Sequence, residues 1–210
     1  GNIANYSSEA YLTFNKSFEG LSVNIVAGGG LYRTTTSGFN VDAVNFFTDA
    51  YEDDNIQAAL DKELSGFGSW RTQRDRQSLF SRVNLTYKDR YILALTGRYD
   101  GDTQFADNKK VGFFPGLSVA WRLSQESFMN GVDFVSDLKI RAGVGQAGNP
   151  INSGSWLALL ETAYRFPIGG NVYPGVAQSQ LRNPDLSWET NETINVGMDI
   201  ELFQGRVTAT

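Results

Sequence analysis

The side chains able to do chemistry in this sequence are carboxylates, guanidiniums, ammoniums and aromatic rings, because its 210 residues include neither cysteine nor histidine. Thiolate nucleophiles and thiolate metal sites are therefore absent, along with the commonest general base and the commonest metal ligand. Catalysis would need paired carboxylates held across a cleft, and Asp199/Glu201 and Glu189/Glu192 fall at ordinary strand or loop positions. No catalytic residue and no cofactor is expected. Asp100, Asp102, Asp107 and Asn108 form one oxygen-rich stretch and Glu52, Asp53 and Asp54 another. The first lacks the alternate spacing and closing glutamate of a calcium loop. Turn chemistry accounts equally well for Asp beside Gly101, so no metal site is assigned. What remains is recognition. The rings Tyr51, Trp156, Tyr164 and Tyr173 lie in two long connections, where sugars or peptides can pack on their faces. The 18 Lys and Arg are scattered against 23 Asp and Glu, a net charge of −5, and leave no basic footprint for nucleic acid.

The elements that must position these groups are strands. From Leu79 to Tyr87 the set Leu79, Ser81, Val83, Leu85, Tyr87 alternates with Phe80, Arg82, Asn84, Thr86, which is the period of a strand with one apolar face. After a Lys88-Asp89 turn the alternation resumes, with Tyr91, Leu93, Leu95, Gly97 and Tyr99 on one face. Phe113, Pro115, Leu117, Val119 and Trp121 repeat it, and so do Leu138, Ile140, Ala142, Val144 and then Ile194, Val196, Met198, Ile200. Tyr and Trp sit near the ends of the apolar sets and aliphatic residues in the middle, the order expected of strands crossing hydrocarbon between two aromatic girdles. The opposite face carries Arg82, Arg98, Arg122, Lys139 and Arg141, which should line a polar lumen. Upstream, residues 9–15 and 21–27 alternate more weakly. The triplet Gly28-Gly29-Gly30 is not followed by the helix and Lys-Ser/Thr of a phosphate cradle, and it reads as a bent or closely packed strand.

Connection lengths supply a topology. Lys16–Gly20, Lys88-Asp89 and Phe203–Gly205 are short, whereas Thr34–Trp70 and Asn149–Trp188 are long and Gly101–Gly112 is of medium length, and short connections alternate with longer ones as in an up-and-down membrane barrel. Within the long pieces a helical spacing is expected over Ile56, Ala59, Leu60 and Leu64. Ser124–Asp137 breaks the alternation of lengths and predicts a short helix capped by Ser124. No apolar run reaches the length of a membrane helix, so a chain of this kind crosses a membrane only as a barrel. The fold expected is all-β: part of a large antiparallel transmembrane β-barrel, with about seven to eight strands present and long outer loops. A passive porin and a soluble carbohydrate-binding β-sandwich are the alternatives, since a sandwich alternates too.

Four blocks resemble one family: RYDGDTQF at 98–105, GFFPGLSVAWR at 112–122, LKIRAGVGQAGN at 138–149 and NPDLSWET at 183–190. Together they resemble the barrel of SusC/RagA-type TonB-dependent outer-membrane transporters of Bacteroidetes. The resemblance implies a bacterial outer-membrane location and active import of oligosaccharides or peptides. It also implies a SusD-like surface lipoprotein as partner, contact with membrane lipid, and coupling to the TonB complex through a plug domain and N-terminal segment. On this reading residues 1–210 are one portion of the barrel, with plug and remaining strands outside them. Tyr51, Trp156, Tyr164 and Tyr173 are then the candidate substrate contacts.

Overall fold

In a computed structural model, residues 1–48, 50, 56–150 and 156–210 are described, with backbone alone at 60–65 and 162–164. The strands among them are β1 (Asn2–Phe18), β2 (Leu21–Phe46), β3 (Ala59–Tyr87), β4 (Tyr91–Asp102) and β5 (Val111–Arg122), followed by β6 (Val135–Asn149), β7 (Leu159–Ile168), β8 (Asn171–Gln180), β9 (Glu189–Leu202) and β10 (Val207–Ala209). Eight pair in the order β1-β2-β3-β4-β5-β6-β9-β10, and β7 and β8 form a separate hairpin.

The register turns five separate alternations into one surface. Tyr87, Tyr91, Trp121, Ile140 and Met198 are successive cross-strand partners from β3 to β9. So are Leu85, Leu93, Val119, Ala142 and Val196, and so are Val83, Leu95, Leu117, Val144 and Ile194. Because side chains alternate with a period of two, this pairing puts every apolar set on the same face. That face is bare: Leu95 is 43 % exposed, Ile194 73 % and Val196 77 %. A water-soluble sandwich would bury such a face under a second sheet; here the only other sheet among the described residues is the β7–β8 pair. Ring rows mark both ends of the band. Tyr87, Tyr91 and Trp121 stack in sequence with centroids 6.5 and 6.4 Å apart, and Tyr99 meets Phe113 at 4.5 Å.

The turns at one end are tight. Lys88 and Asp89 both take left-handed φ, 51° and 55°, the mirror-image turn whose twist matches a hairpin. The Lys88 amide donates to the Gly20 carbonyl, the Arg122 amide to Arg90 and the Phe203 amide to Phe134. The connections at 19–20, 88–90, 123–134 and 203–206 therefore gather at one end, and 47–58, 103–110 and 150–188 lead from the other ends of the same strands. The alternation of the connections holds, including the misfit at 123–134.

Four local expectations are corrected. Thr34–Trp70 is mostly strand, with β2 and β3 running for 26 and 29 residues and leaving only 47–58 between them. Its Thr, Ser and Gly residues resemble a loop in composition, but ladder hydrogen bonds and β-branched threonines suffice for pairing. The helical spacing at Ile56 yields one 3-10 turn over Ile56–Ala58, after which Ala59 begins β3. Ser124–Asp137 holds two 3-10 turns, Leu123–Gln125 and Ser127–Met129, and no α-helix. The Ser124 hydroxyl donates to Asp137 Oδ1 at 2.5 Å, which removes it as a cap. Asn149–Trp188 contains β7 and β8, turned at Gly169-Gly170 with φ of 59° and 86°.

By contact density the chain divides into two compact units, residues 1–7 with 32–75, and residues 8–31 with 76–210. In the first, Arg33 grips Asp75 through two nitrogens at 2.7 and 2.8 Å, and Thr34 donates to Asn5 Oδ1. The second contains the continuous apolar face from Leu79 to Met198. There Gly28 lies so close to β1 and β3 that a Cβ would stand 2.6 Å from the Ala10 carbonyl and 2.8 Å from the Phe80 ring. That is the close packing the glycine triplet implies.

Set against hydrocarbon, the apolar face gives Leu95→Arg a cost of about 2–4 kcal/mol near the midplane. Urea titration of the full-length protein folded into phospholipid bilayers measures it. A loss within error of zero would show that this face is not lipid-facing.

Candidate functional site

The polar face is built from the positions between the apolar ones. Arg82 stands opposite Thr96, Arg98 lies between Phe80 and Phe114, and Arg122 pairs with Lys139, itself opposite Asp199. Arg141 lies between Ala120 and Gly197. The register thus brings all five predicted cations onto one face of one sheet. Most are compensated there. Lys139 Nζ and Arg141 Nε share Asp199 at 2.8 and 3.2 Å, Arg122 Nε faces Asp137 at 3.4 Å, and Arg98 Nε meets Asp100 at 2.6 Å. Between the cations the face is smooth: Gly116 pairs with Gly145, and Ser118 with Gly143. On the same face an amide row crosses β1, β2 and β3, Asn84 donating to Asn24 and Asn24 to Asn15.

The predicted substrate rings are only partly gathered. Tyr51 lies outside the described residues. Tyr164 and Tyr173 are both on the β7–β8 hairpin, where Tyr164 is opposite Gly175 and Tyr173 opposite Phe166, so their positions share one face of it. The Phe166 ring occupies the space over Gly175, and Tyr173 is half exposed. Trp156 precedes this hairpin, and its carbonyl accepts from the Asn183 amide.

The oxygen-rich stretch at 100–108 disperses its carboxylates. Asp100 holds Arg98, Asp102 Oδ1 accepts the Gln104 amide, and Asp107 holds Lys110, whose ammonium keeps the Asp107 carboxyl below the usual carboxylate range. Among the described residues no group of three or more His, Cys, Asp or Glu is arranged to hold a metal ion.

What sequence reasoning missed is a knot at the loop end. Phe105 is fully buried and Asp102 nearly so, in a chain whose other large apolar groups are mostly exposed. The Phe105 ring stacks on Trp188 at 4.8 Å, Phe114 meets Trp188 edge-on at 5.5 Å, and the Trp188 indole N–H donates to the Lys110 carbonyl. Phe114 lies across Gly148, where a Cβ would come within 1.9 Å of the ring. All four recognisable blocks therefore meet here: one gives Phe105, the next Phe114, the third Gly148 and the last Trp188. The available signal was an aromatic residue, Phe105, alone in a polar loop. Its partner is distant in sequence, so periodicity could not reveal it.

A second cluster fixes the tight-turn end. Glu126 accepts from the Tyr91 hydroxyl at 2.7 Å, from the Trp121 indole at 3.0 Å and from Arg90 at 3.1 Å. The Tyr91 hydrogen bond foremost, then that of Trp121, holds the Glu126 carboxyl below its usual range against a smaller opposing effect of burial.

Two outcomes follow. Phe105→Ala should cost about 3–5 kcal/mol of local packing and expose 103–110 to proteolytic nicking in the full-length protein; unchanged resistance would show that the knot does not hold the loop. For Glu126, whose folded-state pKa is depressed, the stability it adds is complete above the ordinary carboxylate range and is lost as pH falls through the lowered value. Thermal midpoints of wild type and Glu126→Gln should differ at neutral pH and converge once pH has fallen below the lowered Glu126 value. A constant gap across that range would contradict the clip.

The family described as TonB dependent receptor-like, beta-barrel, matches residues 2–210. TonB-dependent receptor P3 of Formosa agariphila is 32 % identical over 98 % of this chain and 20 % of its own length. TonB-dependent receptor SusC of Bacteroides thetaiotaomicron is 29 % identical over 97 % of the chain and 20 % of its own length. The chain thus spans about one fifth of the length of these curated relatives. A solved structure of the RagAB peptide transporter shares the fold, with a TM-score of 0.78 at 19 % identity over 98 % of this chain and 22 % of that one.

Proposed function

This chain belongs to the TonB-dependent receptor-like β-barrel family of the bacterial outer membrane, and on that premise we propose that the complete protein actively imports oligosaccharides or peptides. The observation that carries the reading is the two-faced sheet. A bare apolar face bounded by ring rows suits lipid, and a face of paired charges and small residues suits a water-filled or plugged interior. The unpaired edges β1 and β10 would be closed by strands beyond these 210 residues, since an open edge leaves backbone groups that hydrocarbon cannot satisfy. The polar face, with Arg82, Arg98, Arg122, Lys139 and Arg141, would border a plug domain that TonB moves. The connections at 47–58, 103–110 and 150–188 would be extracellular, and a SusD-like lipoprotein would close over them. Tyr51, Trp156, Tyr164 and Tyr173 would touch the solute there; Tyr173, half exposed on β8, supports this best. RagAB is a peptide transporter, which keeps peptide beside oligosaccharide as the cargo proposed here.

Uptake of labelled oligosaccharide and peptide mixtures by cells carrying the full-length receptor tests this. Import should require TonB and fall about tenfold or more without it, whereas a passive porin would be indifferent. Removal of residues 157–181 should weaken uptake while the barrel still inserts, as followed by heat-modifiable gel mobility. Full uptake by that deletion would separate the hairpin from capture.

A further inference from the structure

We infer that the apolar side of the sheet holds one phospholipid in a fixed place, with an acyl chain in a hollow beside the tyrosine–tryptophan row and the phosphate at Lys88. The hollow measures about 600 Å³, within the range of about 300–1,000 Å³ that ligand clefts occupy. The inference rests on the lipid-facing reading of this face and is independent of the cargo. Every strand around the hollow, from β2 to β6, has both its neighbours within these residues, so its walls are complete as they stand.

Its shape follows from the register. Tyr91, Trp121 and Ile140 form one row across β4, β5 and β6, and Leu93, Val119 and Ala142 form the next. All six line the hollow. The rings stand tall at one border, whereas Ala142 extends a single carbon from its strand between Ile140 and Val144 on the same face, so the surface drops there. The rings are held away from the gap. Tyr87, Tyr91 and Trp121 stack with centroids 6.5 and 6.4 Å apart, and Glu126 accepts from the Tyr91 hydroxyl at 2.7 Å and from the Trp121 indole at 3.0 Å. Arg90 grips the same carboxylate at 3.1 Å. The slot is thus formed before a chain enters it. A lipid bound there orders no ring that was free, and so avoids a cost that weakens surface binding in general.

Three features select a phospholipid as the occupant. The hollow opens on the face that meets hydrocarbon, and Leu93, Val119 and Ala142 offer no polar side-chain atom, so its contents are a hydrocarbon chain and not a polar solute. Its ring border lies at the tight-turn end, where the polar edges of Tyr91 and Trp121 mark the passage from hydrocarbon to water. A chain in the slot therefore carries its headgroup out past that row. At that level the Lys88 ammonium stands over the Tyr87 ring, 5.3 Å from its centroid. The ring places a compact cation with three donors beside the path of the headgroup, where a phosphate can accept from it. A neutral diacylglycerol would fill the slot but leave the cation to water.

The test is native mass spectrometry of the full-length protein released from detergent micelles after incubation with phosphatidylglycerol, phosphatidylethanolamine or diacylglycerol of equal chain length. One retained phospholipid per barrel is expected, with diacylglycerol held about fivefold or more weaker, the effect of one cation beside a lipid headgroup. Ala142→Phe, which fills the hollow from an outward position, should remove that lipid. Val196→Phe, on the same face in β9 and outside the hollow, should keep it. Lys88→Gln should lower both phospholipids to the level of diacylglycerol, and its place in an exposed turn keeps it informative should Ala142→Phe fail to insert. A lipid still retained by an Ala142→Phe barrel that folds, as followed by heat-modifiable gel mobility, would overturn the slot. So would graded retention of many lipids with no preferred first one. Equal retention of diacylglycerol would overturn the phosphate contact at Lys88. Leu95→Arg keeps the two readings apart: its full cost with no retained lipid removes the slot alone, and no cost removes the lipid-facing reading.

Discussion

The rest of the structure depends on the backbone ladder. In hydrocarbon no water can satisfy a peptide group, so every N–H and C=O of a crossing segment must find another strand. A continuous run of antiparallel pairs from β3 through β9 meets that demand and also fixes register. Register then decides everything about the two faces, because a slip of one residue would exchange them. The row from Tyr87 to Met198 and the row from Arg82 to Thr193 are products of the same pairing.

Specific side chains hold the ladder at its two ends, and they do so differently. At the tight-turn end a single carboxylate, Glu126, gathers the hydroxyl, indole and guanidinium of Tyr91, Trp121 and Arg90. These rings present apolar faces and polar edges, which suits a boundary between hydrocarbon and water. At the loop end the fastening is a small dry core of Phe105, Phe114 and Trp188. It closes the β4–β5 loop against the segment that enters β9, so the exit of the long 150–188 connection is fixed at the sheet.

The polar face balances its charges across strands. Asp199 serves two cations and Asp137 a third, which lets closely spaced basic residues share one surface without mutual repulsion. Glycines at 116, 143 and 145 leave backbone close to the surface between them, so whatever lies against this face can approach the strands directly.

The sequence by itself determined the strands of the main sheet from Leu79 onward, the sorting of their residues into two sets, and the alternation of shorter and longer connections. Each is a local property: side-chain direction repeats every two residues, and turn residues act within their own few positions. It misjudged the parts of β2 and β3 that fall within Thr34–Trp70, and the β7–β8 hairpin within Asn149–Trp188, where Thr, Ser, Gly and Pro conceal pairing that neighbouring strands supply. Only the tertiary structure decided which strand lies beside which, that β6 passes over the hairpin to meet β9, and that Phe105 is buried by Trp188. It also decided which cations have partners. Asp199 reaches Arg141 across a separation of 58 residues. Contacts between residues far apart in the chain leave no periodic trace, because they depend on the path of the chain and not on the spacing of its residues.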